Sequence, residues 1–332
     1  MMRIGLHYSF YSKEGGWEEI YATGLKQMVL ADRLGLYAVS VSEHHFTETG
    51  WCPAPFLPLA AAASLTSRIL LSTGVRLLLL HGPVRVAEEA VVLDNISRGR
   101  TVVGVGLGYR REEFDAFASP FKGKGRRMDE QLMVLDKLLR GEEVEAEAEW
   151  GRLRKLKVTP LPVQRPRPPI WVASKVEAGV KRAALLGDGW LTDPITPIKR
   201  LEEMSKTYWK LREGRGGRIV LRRDGFVARD EEELKRAEEA ILMSYKSDYY
   251  EWGHLLDDEG KPIDPKETRF KDVEPMIVNR LLLGKPDEFA EKLREQMKML
   301  KADVAMLRIA FPKISEESQE EAIKLLAEIA KT

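Results

Sequence analysis

Residues 70–106, LLSTGVRLLLLHGPVRVAEEAVVLDNISRGRTVVGVG, decide how this chain folds. The run opens on an apolar, β-rich segment (70–77), passes into an amphipathic stretch (84–96) and returns to a second β-rich run (101–105). Strand, helical crossover, strand is the pattern of a βαβ unit with parallel strands. The second strand runs into VGVGLGY, where Gly106 and Gly108 leave backbone open to a flat ligand or a phosphate. A tight turn with nothing bound would use the same glycines.

Working outward, the alternation continues in both directions. On the N-terminal side lie strand segments 3–9 and 37–42 with helices 17–34 and 55–65, Pro53 and Pro55 suiting the mouth and first turn of the latter. On the C-terminal side follow strands 169–173, 189–192, 219–228 and 304–309, with helices 126–139, 177–186, 198–212, 230–243, 286–301 and 316–330. Residues 142–160, EEVEAEAEWGRLRKLKVTP, read as a hairpin excursion, and the prolines of PLPVQRPRPP exclude a central strand there. Eight strands alternating with helices predict an α/β fold, a closed (β/α)8 TIM barrel, as a single domain over residues 1–332. Its insertions are the helix and hairpin after strand four and a segment before strand eight. An open dinucleotide-binding sheet would place its phosphate glycines after the first strand, and HYSFYSKEGGW lacks that fingerprint. Residues 245–279, with SDYYEWGH and DDEGKPIDPKE, are too long for an ordinary loop, and their aromatics predict a lid.

Composition narrows the function classes. Lys+Arg at 53 against Asp+Glu at 52 leaves a formal charge of +1, so nothing electrostatic points to nucleic acid or an anionic membrane. The single cysteine, Cys52, excludes an internal disulfide and a cysteine zinc cluster, and its expected role is a small buried hydrophobe. MMRIGLHYSF enters a strand pattern directly, with no apolar signal core, and no apolar run approaches the ~20 residues of a membrane span. The expectation is a soluble, cytoplasmic protein.

In a parallel barrel the chemistry sits at the C-terminal ends of the strands. Strand two ends in Ser42-Glu43-His44-His45-Phe46. Adjacent histidines in extended chain point to opposite sides, a poor pair for one ion, and no HxH or HExxH spacing occurs, so no metal site is expected. Either one histidine packs while the other is solvated, or one faces the mouth as a proton donor or acceptor near neutral pH. Strand five ends in Ala173-Ser174-Lys175-Val176 just before a helix, where unpaired N–H groups suit a phosphate. Ser174 as an ordinary helix cap fits equally.

SEHHFTETG (42–50), STGVRLLLLHGPVRVAEEAVVLDNISRGRTVVGVGLGYRREEF (72–114), PVQRPRPPIWVAS (162–174) with RAALLGDGW (182–190), and LLLGKPDEFAEKLREQMKMLKADVAMLRI (281–309) are together very similar to the bacterial-luciferase-like family. The resemblance runs along almost the whole chain in the family's order. It implies a (β/α)8 barrel, FMN or the deazaflavin F420 as cofactor, and a homodimer. By resemblance His44 is the catalytic histidine, with Glu43 and His45 beside it. Gly74-Val75 stands where many members have a non-proline cis peptide under the flavin ring. Gly106, Leu107, Gly108 and Tyr109 match the segment passing the ribityl chain and phosphate, and Ala173, Ser174, Lys175 and Val176 match the second phosphate turn. Bacterial luciferase itself has a Cys-Arg pair where this chain has Gly106-Leu107, so phosphate charge must be met otherwise and light emission is not implied. The leading expectation is a monooxygenase that uses reduced FMN from a separate flavin reductase, with O2, on a small organic substrate. The alternatives are an F420-dependent oxidoreductase transferring hydride and a flavin-binding protein without turnover.

Overall fold

The computed structural model describes residues 1–12 and 14–332. Strands β1 (Ile4–Tyr8), β2 (Ala38–Val41), β3 (Leu70–Thr73), β4 (Thr101–Gly106), β5 (Ile170–Ala173), β6 (Gly189–Leu191), β7 (Arg218–Val227) and β8 (Val304–Arg308) pair in that order, each pairing parallel. β1 closes on β8 with Ile4 opposite Ala305, giving the eight-stranded barrel expected from the sequence.

The period-two alternation of each strand sorts its residues between two cores. Ile4, Leu6, Val39, Val41, Ile219, Leu221, Ala305 and Leu307 join the core shared with the surrounding helices. The alternate positions Ala38, Val102, Trp171, Leu191, Val220, Val304 and Met306 form a separate buried cluster that fills the lower barrel. Helix Pro286–Leu300 shows how a helix is seated against the outside. Pro286, Asp287 and Glu288 suit its first turn, and Phe289, Leu293, Met297 and Leu300 recur every three or four residues on one buried face. Each such side chain, when fully buried, contributes about 1.5–3 kcal/mol of transfer free energy.

Towards the C-terminal ends of the strands the inward positions become polar: His7 on β1, Ser40 on β2, Arg222 and Asp224 on β7, and Arg308 on β8, all buried. The barrel therefore has an apolar floor and a charged upper layer beneath its mouth.

The Gly74–Val75 peptide is cis, as the resemblance implied. The structure departs from the sequence reading in the extent of the strand at 70–77: β3 ends at Thr73, and Arg76–Leu77 forms a separate two-residue strand on β4. The next helix spans Leu78–Ser97, starting six residues before its expected position and kinked at Gly82 (φ 73°) ahead of Pro83. Periodicity alone does not tell strand from helix in a short apolar run such as Leu77–Leu80. Val144–Ala148 and Gly151–Leu156 form the expected antiparallel hairpin. The short helix Arg111–Ala116 was not anticipated.

The segment before β8 is a packed cover. Lys246–Tyr250 forms a π-helical turn and Phe270–Val278 a helix, and Tyr245, Tyr249, Leu255, Leu256, Phe270 and Ile277 share one buried cluster with Tyr11, Trp51 and Phe311. Those last three residues follow β1, β2 and β8, so the cover lies over the C-terminal end of the barrel. No described helix is long and apolar enough to cross a membrane.

Candidate active site

His44 lies just beyond β2, inside a ring of aromatics. Its imidazole meets Trp51 edge-on at 4.9 Å between centroids, and Tyr109 and Trp252 at 5.2 Å each. Nδ1 is 2.9 Å from Glu113 Oε1, and Nε2 is 3.1 Å from the Tyr109 hydroxyl. Glu113 Oε1 also accepts the His45 backbone N–H at 3.0 Å, which makes it an acceptor towards Nδ1–H as well. That hydrogen bond leaves Nε2 with a free lone pair facing the mouth, where Tyr109 donates to it. A buried carboxylate, an oriented imidazole and a phenol in line form a proton-handling set. Glu113 was missed in the sequence; its signal was REEF immediately after the glycine-rich turn, on a helix too short to show periodicity.

The histidine pair separates, as extended chain requires. Glu43 and His45 turn away from His44 into a second cluster: Glu43 Oε1 accepts from His45 Nε2 at 2.7 Å and His81 Nε2 at 2.5 Å, with the Arg76 guanidinium at 3.2 Å. Its other oxygen accepts the Leu77 N–H at 2.9 Å. Burial alone would raise this carboxyl, but the donors from His45 and His81 and the charge of Arg76 prevail and hold it at about 2. Glu43, His45 and His81 could together reach one ion. The Arg76 guanidinium already supplies positive charge to that carboxylate, and the cluster reads as a brace tying the end of β2 to Arg76–Leu77.

Three glycines strip the mouth of side chains. A Cβ on Gly104 would stand 1.9 Å from the Thr73 carbonyl oxygen, and one on Gly106 would stand 2.6 Å from Val75 Cγ2. A Cβ on Gly74 would press on Ser40 at 3.0 Å and His7 at 3.1 Å. The end of β4 thus lies directly against Gly74–Val75, with Leu107, Gly108 and Tyr109 continuing along the mouth. Beside it, at the end of the paired strand β5, the Ser174 hydroxyl accepts the Val176 N–H at 3.1 Å, so it closes its own turn ahead of helix Glu177–Leu186 instead of capping it. Lys175 points into the mouth and meets His254 of the cover. His254 in turn stacks on Tyr109 at 3.6 Å, nearly parallel. The two glycine- and serine-bearing turns matched by resemblance end paired neighbouring strands and lie side by side on the rim, and His44, Tyr109 and Lys175 border the same opening. A cofactor with a flat ring and an anionic tail fits this donor set: bare backbone along one wall and, at one end, the Lys175 ammonium, which among the described residues meets His254 but no acid.

Below Trp51 lies the charged layer. Asp224 bonds Arg222 and accepts from Arg308 Nη2 at 2.9 Å, and the Arg308 guanidinium lies 5.5 Å from the Trp51 ring centre. Burial opposes ionisation of Asp224, yet Arg222 and Arg308 overcome it and lower its carboxyl below the ordinary range. His7, buried and facing both arginines, is pushed well below its usual value and is held by Ser40 Oγ at 2.7 Å.

Asp248, on the π-helical turn, is the exception among these acids. It is 1% exposed, accepts from the Thr49 hydroxyl at 3.0 Å, and its second oxygen closes no hydrogen bond. Burial raises its carboxyl to about 6, against the pull of Thr49 and Arg308. A carboxyl raised in the folded state binds its proton more tightly folded than unfolded. Its stabilising protonation is complete below the ordinary value of 3.8 and is lost as pH rises through about 6. Asp248→Asn is therefore expected to stabilise the protein by up to about 3 kcal/mol at pH 7.5 and to change little at pH 4. Denaturant unfolding at both pH values measures this, and a gain independent of pH would remove the assignment.

A cavity of about 410 Å³ lies elsewhere, lined by Tyr8, Phe10, Tyr11, Ser244 and Phe311 among others, between helix Trp17–Leu34 and the closing helix. Tyr11, Trp51 and Phe311 separate it from His44. We place the candidate chemistry at the barrel mouth because the oriented imidazole is there, although the rings of Trp252, Tyr109 and His254 leave the mouth less open.

Comparison with known proteins gives a consistent picture. The family model described as luciferase-like monooxygenase matches residues 2–303. The oxygenase component of a flavin-dependent trigonelline monooxygenase from Acinetobacter baylyi is 27% identical over 256 residues, 74% of this chain and 70% of that protein. An uncharacterized protein of Sinorhizobium fredii is 33% identical over 171 residues, 49% of this chain, and the match spans only 47% of that relative's length. Among solved structures, the monooxygenase RslO1 from Streptomyces bottropensis superposes with a TM-score of 0.82 at 25% identity, covering 98% of both chains. The coenzyme F420 dependent tetrahydromethanopterin reductase from Methanopyrus kandleri shares the fold, with a TM-score of 0.73 at 19% identity over 99% of this chain and 98% of that one.

Proposed function

The chain belongs to the luciferase-like monooxygenase family, and on that premise we propose that it is the oxygenase of a two-component, FMN-dependent monooxygenase acting on a small organic substrate. The observation that carries this reading is His44, fixed by Glu113 and facing the mouth between the bare β4 end and the β5 turn. Gly74, Val75, Gly106, Leu107, Gly108 and Tyr109 would line the flavin, with Ala173, Ser174, Lys175 and Val176 at its phosphate end. Bound reduced flavin would supply the two electrons that let O2 deliver one oxygen atom to the substrate, the other leaving as water. His44 Nε2 moves the proton at that site, Glu113 holds the tautomer, and Tyr109 relays to it. Trp51, Trp252 and Tyr249 exclude water from the mouth. Glu43 and His45 act on His44 only through the backbone they brace. The similarity to an oxygenase component supports a separate reductase as the source of reduced FMN.

Self-association is part of this reading. Leu57 (71% exposed) and Leu65 (58%) on helix Phe56–Leu65, with Val92 (48%) and Ile96 (45%) on the adjacent helix Leu78–Ser97, offer an apolar face suited to a homodimer. A monomer by sedimentation equilibrium at micromolar concentration would count against it.

The function is tested by anaerobic titration with reduced FMN and, separately, with reduced F420, followed by exposure to O2. Binding of reduced FMN with subsequent O2 uptake is the expected result. Binding of F420 alone would replace the reading with hydride transfer, and flavin binding without any O2 reaction would leave a flavin carrier.

A further inference from the structure

Asp224 is shared by two cations. Its Oδ1 meets Arg222 Nη1 and its Oδ2 accepts from Arg308 Nη2 at 2.9 Å, and among the described residues no other acid lies within ion-pair distance of either guanidinium. The three are neighbours across β7 and β8, with Asp224 opposite Arg308 and Arg222 two positions before it. Arg308 Nη1 reaches Ser9 Oγ at 3.3 Å, and its Nε has no partner. Among the described residues the Arg222 side chain bonds through Nη1 alone. Asp248 acts on Arg308 only through space, its carboxyl held on the cover by the Thr49 hydroxyl. One arginine would balance Asp224, so the second is in excess, and an excess charge in a buried layer is costly unless an anion completes it. This layer adjoins the chemistry. His7 faces both arginines, and its Cε1 would be 3.1 Å from a Cβ on Gly74, which brings it against the Gly74–Val75 wall. On the other side Arg308 lies 5.5 Å from the Trp51 ring centre and 4.3 Å from that of Phe311, while Trp51 meets His44 at 4.9 Å. Tyr249 stands edge-on to Trp51 at 6.2 Å. One aromatic ring thus separates the cations from the imidazole.

We infer that Arg222 and Arg308 form a carboxylate subsite, and that the substrate is a small aromatic acid whose ring takes up the interval between the guanidiniums and His44. That this ligand is the substrate rests on the monooxygenase reading; that the arginines hold an aromatic carboxylate does not. A planar guanidinium meets a carboxylate through paired, parallel hydrogen bonds, so the subsite selects an acid over a neutral amide of the same shape. The rings of Trp51, Tyr249 and Phe311 offer faces and edges to the aromatic body. Arg222 and Arg308 bind and orient, and His44 remains the group at the reacting atoms.

The test is titration of the full chain with fluorobenzoate and with fluorobenzamide, its neutral isostere, followed by fluorine NMR with and without saturating FMN. It is repeated with Arg222→Gln, which leaves the Asp224–Arg308 pair in place, and with Arg222→Lys. Fluorobenzoate is expected to bind about tenfold more tightly than the amide, since one charge-assisted contact is worth about that factor. Arg222→Gln should remove this preference at constant amide affinity, Arg222→Lys should restore part of it, and FMN should leave the acid bound. Equal affinity for the two probes, or no binding of the acid, would overturn the subsite. So would an acid affinity that Arg222→Gln does not move, because the anion would then sit elsewhere. Displacement of the acid by FMN would put it in the flavin's own place and overturn the inference as well. Should FMN fail to bind while the acid still depends on Arg222, the flavin reading falls and the arginine subsite stands. If Arg222→Gln does not fold, the acid-to-amide ratio and the FMN competition on unmodified protein still decide.

Discussion

Asp224→Ala is expected to destabilise the protein by about 3–5 kcal/mol, the largest stability effect anticipated for a single side chain near the site. Asp224 and Arg308 are 1% and 0% exposed, and Arg222 is 5% exposed, so removing the carboxylate takes from two buried guanidiniums the acid they share. Arg308 cannot move out to water, because it is closed over by Trp51 and Phe311. The same change should flatten the acid limb of stability. A carboxyl with a lowered folded value contributes stability that is present above the ordinary 3.8 and lost as pH falls through the lowered value, and without Asp224 that contribution is gone at every pH. Urea unfolding of the two proteins between pH 3 and pH 7 measures both effects. A loss below about 1 kcal/mol at pH 7 would mean that the arginines find other partners.

His44→Ala is expected to lower substrate-dependent O2 consumption with reduced FMN by about 10²–10⁴-fold while leaving the thermal midpoint nearly unchanged. The His44 imidazole combines a fixed orientation, through Glu113, with a nitrogen facing the opening. Glu113→Gln keeps the shape but cannot hold the same proton on Nδ1 as firmly, so a smaller loss, roughly tenfold, is expected from that variant. Turnover by His44→Ala at the normal rate would transfer the proton-handling role elsewhere, with Tyr109 the nearest remaining phenol. A proportional fall in both activity and FMN affinity would instead describe a packing residue.

The barrel was legible because its evidence is repeated. Eight short β-rich runs each had to be followed by an amphipathic helix, and an error in one boundary, such as the extension of 70–77 through Leu77, leaves the count intact. His44 stood out in a compact motif, and the two turns matched by resemblance end neighbouring strands at the same mouth. What the sequence hid was everything made by distant residues. Arg308 and Asp224 are 84 positions apart. Each was visible only as a charge inside an otherwise apolar strand, in VAMLRI and in IVLRRDGF, a signal that would have marked an inward barrel position. Trp51 and Trp252 stood in loops, where an aromatic side chain announces no partner. The motif reading also grouped Glu43, His44 and His45, although the alternation of extended chain sends the middle residue to the opposite side from its neighbours.

The central claim is that the flavin occupies the mouth bounded by Gly74–Val75, Gly106–Tyr109 and Ala173–Val176, within reach of His44. A crystal structure of the protein with FMN bound tests this most directly. The account expects the ring against Gly74–Val75 and His44 and the phosphate beside Lys175. Density for FMN in the cavity lined by Tyr8, Phe10 and Phe311, with the Tyr109–His254 stack undisturbed, would contradict it.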